Sequence, residues 1–127
     1  MEPQRADLRR ALERELRGKL LRLRQGYALL SADPVKLGSL AADSAGTVLV
    51  LFRSLLVLTG RDVPLAPGAI VSAAAEVAGF PADAVGDVTR HRGDHKWRCD
   101  AAVFEAYLDA VATTAGFVDQ LQLGDQR

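Results

Sequence analysis

Cysteine occurs once in this chain, at Cys99, so no internal disulfide can form and the fold must hold by packing alone. One cysteine also fits a reducing, cytoplasmic compartment. A basic, then apolar, then cleavable start is missing as well, so no signal peptide is expected. Net charge is zero overall but unevenly spread along the chain. No glycine-rich phosphate loop and no Gly-x-Ser-x-Gly elbow is present. Histidine appears only at His91 and His95 and tryptophan only at Trp97, so with Cys99 the rare reactive side chains all fall within "RHRGDHKWRC", Arg90 to Cys99.

What is there is a helical pattern. With 127 residues, 49% of them hydrophobic and 25% charged, the chain is long enough for one domain, 1–127, with a real core. Leu8, Leu12, Leu16, Leu20, Leu23, Tyr27 and Leu30 recur at spacings of four and three, an apolar stripe on a long first helix. Asp33-Pro34 is a cap followed by a first-turn proline, so a second helix is expected from there to Thr59, with Gly60 as its left-handed stop. Its run "VLVLFRSLLVL" is too short for the ~20 apolar residues of a membrane span and contains Arg53. It reads instead as a bundle's central, buried helix. Small residues crowd its first half, which allows close approach. Ala69–Ala78 before Gly79, and Pro81 to about Thr89, read as short helices. Asp100 is placed to cap a last helix whose stripe runs Phe104, Leu108, Val111, Ala115, Val118, Leu121. Gly124–Arg127 reads as a frayed tail. The expected class is all-α: an antiparallel up-and-down bundle of three long helices with one or two short ones.

Four constellations carry possible chemistry. Residues 1–25 hold eight Lys/Arg against four acids; this is either a basic contact surface for RNA, a nucleotide or an acidic partner, or a solvated face whose charges pair along the helix. His91, His95 and Cys99, spaced by four with Asp94 nearby, would share one helix face and offer zinc nitrogen and sulfur, but Gly93 interrupts that helix and no second ligand pair exists; no metal and no cofactor is expected. Trp97 either stacks a base or covers the end of the core. Arg53, if buried, needs acceptors: Glu105, Asp109 or Asp119 of the last helix, or an anionic ligand or partner. Asp43, ten positions earlier, is expected to line the same groove.

Arg90, four residues, then His95, with polar His91 after the arginine, resembles the motif of HEPN ribonucleases. That resemblance implies a metal-independent nuclease, with His95 moving the 2′-hydroxyl proton and Arg90 holding the phosphate across a dimer. The larger resemblance runs over "ELRGKLLRLRQGYALLSADPVKLGSL", "DSAGTVLVLFRSLLVLTGRDVP" and "FEAYLDAVATTAGFVDQL", about residues 15–122. These stretches resemble the helical domain that follows the catalytic domain in bacterial nucleotidyltransferase-like proteins, one of the HEPN-like, substrate-binding helical bundles. The resemblance implies a non-catalytic bundle that binds or positions substrate for a nucleotidyltransferase-like catalytic domain or subunit. It implies Asp43, Ser44 and Arg53 as binding residues, nucleotide or RNA as ligands, and a homodimer as a further assembly. The catalytic core itself, a Gly-Ser pair followed by two carboxylates one residue apart, is not in this chain: Gly38-Ser39 lacks that pair. A homodimer without ligand is the remaining alternative.

Overall fold

The computed structural model describes residues 3–121. Five helices account for its regular structure: α1 (Pro3–Leu30), α2 (Pro34–Leu58), α3 (Pro67–Ala78), α4 (Asp83–Arg90) and α5 (Ala101–Gln120). No strand occurs among the described residues, and the all-helical bundle is as the periodicity implies. The Gly124–Arg127 tail lies outside the described residues.

The caps explain the helix ends. Asp33 sits in an extended conformation and its carboxylate accepts the Lys36 N–H at 3.1 Å, while Pro34 occupies the first turn, where no N–H is needed. Thr59 closes α2, and Gly60 follows at φ 74°. Asp100 holds the cap position of α5, but its side chain makes no capping bond; its backbone carbonyl accepts the Phe104 N–H at 3.0 Å. The short helices differ from expectation by a few residues. α3 begins earlier, at Pro67, because proline suits a first turn, and α4 begins only at Asp83.

α1 lies along α2 and α5. Contacts near its two ends fix its direction against both: the Arg5 guanidinium donates to the Leu58 carbonyl at 3.2 Å, Arg9 to the Val118 carbonyl at 3.2 Å, and Tyr27 meets Glu105 at the other end. α1 is therefore antiparallel to each of its long neighbours, and α2 and α5 run in the same direction. That is possible because α3, α4 and the following segment carry the chain back along the bundle before α5 starts.

Leu12, Leu16, Leu20 and Leu23 of α1 are buried against Leu37, Val48, Phe52 and Leu55 of α2 and Phe104, Val111 and Val118 of α5. At ~2 kcal/mol for each buried leucine or phenylalanine, this core is the main source of stability. α2 and α5 are each long and apolar enough, by length and composition, to cross a membrane. More than half of the most apolar stretch of α2 is buried inside the bundle, as a central helix requires, and its open side carries Asp43 and Arg53. Inside, Ser44 and Tyr107 form a 2.6 Å hydrogen bond between α2 and α5, and Ser44 also donates to the Ala41 carbonyl at 2.8 Å. Burial pushes the Tyr107 phenol well above its ordinary range.

Candidate functional site: the linker strapped on α2

The segment between α4 and α5 is bonded to α2. The Cys99 N–H donates to the Pro34 carbonyl at 2.9 Å, and the Gly93 N–H to the Ala42 carbonyl at 3.3 Å. Small residues make this approach possible. A Cβ on Gly38 would lie 1.8 Å from the Trp97 carbonyl oxygen, so glycine alone lets the linker backbone touch the helix. The small-residue half of α2 thus has its occupant within the same chain. Gly93, at φ 80°, supplies the left-handed residue the turn requires. The Asp94 carboxylate accepts the Lys96 N–H at 3.0 Å and steadies the next bend.

The rare side chains have separate surroundings. His91 caps α4, its Nδ1 lies 2.8 Å from the Asp87 carbonyl oxygen, and its ring stacks on Trp97 with centroids 4.2 Å apart and planes within 2°. Trp97 is half-buried and packs on the core, so it is a cover rather than an open platform. Cys99 is fully buried, and burial, with Asp100 and Asp87 adding repulsion, pushes its thiol up to about 11. The linker is not a helix, so His91, His95 and Cys99 do not share a face. Among the described residues no group of three His, Cys, Asp or Glu side chains is placed to hold a metal ion.

Arg90 and His95 are likewise engaged in different places. Arg90 pairs with Asp87 of its own helix and lines a cleft of about 340 Å³ with Gly68 and Gly86 between α3 and α4. His95 reaches α2 instead: Nδ1 is 3.2 Å from the Ser39 hydroxyl and 3.3 Å from an Asp43 carboxylate oxygen. Sequence spacing did not foretell this meeting, because Asp43 and His95 stand on segments joined only by the tertiary fold. The Ser39–His95–Asp43 set is not a hydrolytic relay. A relay uses the two ring nitrogens in opposite directions, one toward the hydroxyl and one toward the carboxylate; here a single nitrogen faces both. When the imidazole is protonated it is an ion pair with Asp43; when neutral, Nδ1 either donates to Asp43 or accepts from Ser39.

Two cations of α1 complete the cluster. Lys19 and Arg22 line a cleft of about 120 Å³ together with Asp43, Leu23 and Leu40. Partial burial, then the neighbouring Arg22 charge, lowers the Lys19 pKa, against a smaller raising effect of Glu15. Most other charges of α1 are paired along the surface: Arg9 with Glu13 at 3.0 Å, Arg17 with Glu13 at 3.2 Å and with Asp119 at 3.3 Å, Arg10 with Asp7. Much of the first helix is therefore a solvated, self-paired face, while Lys19 and Arg22, which enter none of these pairs, line the cleft beside α2.

Of the remaining expected binding residues, Ser44 lines the Asp43 cleft, whereas Arg53 does not. Ser44 is buried, and its hydroxyl is spent on Ala41 and Tyr107. Arg53 is exposed, not buried, because α2 has one side that neither α1, α3 nor the linker covers; it has no need of Glu105, Asp109 or Asp119. Of these, Glu105 meets Tyr27 and Asp119 meets Arg17. Arg53 lines a groove of about 280 Å³ with Leu8, Val50, Ser54 and Val57, separate from the Asp43 cleft. At 1.5 Å rise per residue, Asp43 and Arg53 stand ~15 Å apart along the helix.

What this arrangement defines is an all-α bundle with a polar, open cluster built from three segments. No family model, no curated protein and no solved structure matches the chain significantly.

Proposed function

We propose that this bundle is a non-catalytic binding module that serves a nucleotidyltransferase-like catalytic protein in the cytoplasm, contacting it or its phosphate-bearing substrate through the Ser39–Asp43–His95 cluster and the adjoining Lys19 and Arg22. One observation carries this reading. Charged and hydrogen-bonding groups from α1, α2 and the linker converge on an open surface with only a shallow 120 Å³ cleft among them. Such a surface recognises a charged group brought by another molecule; it does not enclose a substrate from water as a self-contained active site does. Lys19 and Arg22 supply positive charge for a phosphate or carboxylate, and Asp43, held by His95, supplies an acceptor for a partner's donor. The resemblance of α1, α2 and α5 to the helical domain of nucleotidyltransferase-like proteins supplies the class of partner.

Calorimetric titration of the whole chain with the nucleotidyltransferase-like catalytic polypeptide of the same organism, with and without a nucleoside triphosphate, tests the reading. Binding is expected, weakened about tenfold or more by Arg22→Glu or Asp43→Ala, as for loss of one charge-assisted contact. Both positions are exposed, so the helical circular dichroism should not change. A folded wild type that binds neither the polypeptide nor the nucleotide refutes it.

A further inference from the structure

Two stretches of the chain carry acids and no bases. Residues 62–89, which include α3 and most of α4, and residues 99–121, which include α5, hold four Asp or Glu each and no Lys, Arg or His. Half of these acids are matched by groups from elsewhere in the chain. Glu76 pairs with Arg61, Asp87 with Arg90 and Asp119 with Arg17, and Glu105 accepts from the Tyr27 hydroxyl. Asp83 and Asp109 form no hydrogen bond or ion pair with another described residue.

These two carboxylates line the same cavity, one from α4 and one from α5. It measures about 240 Å³ and lies between the α3–α4 turn and α5. It is more closed over than the clefts at Asp43, Arg53 and Arg90. Gly79, at φ 88°, ends α3 and turns the chain into the cavity wall. Phe80 follows and is anchored by stacking on Phe52, with centroids 5.5 Å apart. Pro81, Ala84, Ala106 and Ala110 extend the apolar wall, and Thr113 adds a hydroxyl. Ala106 and Ala110 stand one turn apart on α5, and their small side chains leave the space open.

Folding accounts for one of the carboxylates only. Asp83 is the first residue of α4, where a negative charge offsets the positive end of the helix. That end carries only about half a charge, so with Asp109 in mid-helix the cavity stays net negative. No basic side chain lines it. We propose that this cavity binds a small organic cation, an ammonium or amidinium group on a short apolar body. The head meets Asp83 and Asp109, and the body lies on Phe80, Pro81 and the two alanines. Anions are repelled, and an inorganic cation would leave the apolar wall in water. Small-molecule sites start at about 300 Å³, so the occupant is smaller than a drug-sized ligand. Binding here needs neither a partner polypeptide nor the Asp43–His95 cluster, so it stands apart from the preceding reading.

Titration of the whole chain with benzylammonium chloride, followed by proton–nitrogen correlation NMR, tests this. Saturable shifts are expected at the amides of Phe80, Ala84, Ala106 and Ala110, with a Kd of about a millimolar or below. Benzyl alcohol has the same body without the charge and should bind about tenfold more weakly. Asp109→Asn should weaken the ammonium about threefold and D83N/D109N about tenfold, and neither should affect benzyl alcohol. Asp109 is exposed and differs from asparagine by one atom, so circular dichroism should report unchanged helix. Ala106→Phe, which fills the cavity from an exposed position of α5, should abolish binding of both compounds. Shifts that fail to saturate, that map to a different surface or that survive Ala106→Phe overturn the inference. So does benzyl alcohol binding as tightly as benzylammonium, or benzylammonium binding indifferent to D83N/D109N.

Discussion

Replacing Gly38 by alanine tests the link between the small residues of α2 and the position of the linker. In an open helix the change is stabilising, by about 0.5–1 kcal/mol, because alanine has less backbone freedom to lose. Here the new Cβ would sit 1.8 Å from the Trp97 carbonyl oxygen, 2.7 Å from its carbon and 3.3 Å from the Cys99 nitrogen. All three are backbone atoms, so no rotamer change relieves the overlap and the linker must back off α2. Doing so stretches the 2.9 Å bond from Cys99 N–H to the Pro34 carbonyl, a loss of about 1 kcal/mol or more if the groups stay buried. It also lifts Cys99 and Trp97 from their packing, and overpacking of this kind costs about 1–3 kcal/mol. Net destabilisation of about 1–3 kcal/mol follows. Gly18→Ala is the matched control. It lies inside α1, and its nearest foreign atom would be an Arg22 Nη at 3.9 Å, so the same substitution should stabilise by about 0.5–1 kcal/mol. Urea unfolding followed by circular dichroism, with Trp97 fluorescence as a second probe, measures both. A Gly38→Ala protein as stable as wild type or more so would refute the linker placement, and the position of His95 with it.

Cys99 gives a pH signature. Its thiol is shifted from the ordinary 9.0 up to about 11, so the unfolded chain loses the proton first as pH rises. Its contribution to stability is therefore complete below about 9 and declines up to about 11, by at most about 1.4 kcal/mol per pH unit. Alkaline urea titrations should show this slope in wild type and a shallower one in Cys99→Ala. A neutral-pH thiol reagent should label Cys99 only on unfolding, and rapid labelling of the native protein would contradict its burial. Incubation with a mixed single-stranded RNA in EDTA should give no cleavage, since Arg90 and His95 are held on different partners. Cleavage by wild type that Arg90→Ala and His95→Ala both lose would make the chain a nuclease and displace the binding reading.

Much of the architecture was legible because it depends on local rules. The four-and-three spacing of leucines in α1, the Asp33-Pro34 start of α2 and the glycines at 60 and 79 act within a few residues of themselves, and helix caps and apolar stripes need no knowledge of distant segments. The same rules misjudged Arg53. A run of apolar neighbours in sequence implies burial all round, yet a helix at 3.6 residues per turn sends position 53 away from positions 52, 55 and 56, and whether that side is covered depends on how many elements pack around it. Ser44 lines the Asp43 cleft, but the bond its hydroxyl makes, to a tyrosine 63 positions away, carries no sequence signal. The meeting of Asp43 with His95 was beyond sequence reasoning altogether, since two unremarkable polar residues 52 positions apart carry no mutual signal. Sequence by itself determined where α2 begins and ends, roughly where the short helices lie, and that the chain is a helical bundle. Tertiary structure alone decided which side of α2 stays open, that the linker lies on its glycine- and alanine-rich half, and which charges converge there. Helix formation is settled by interactions a few residues long, whereas a site is assembled by contacts between segments that only packing brings together.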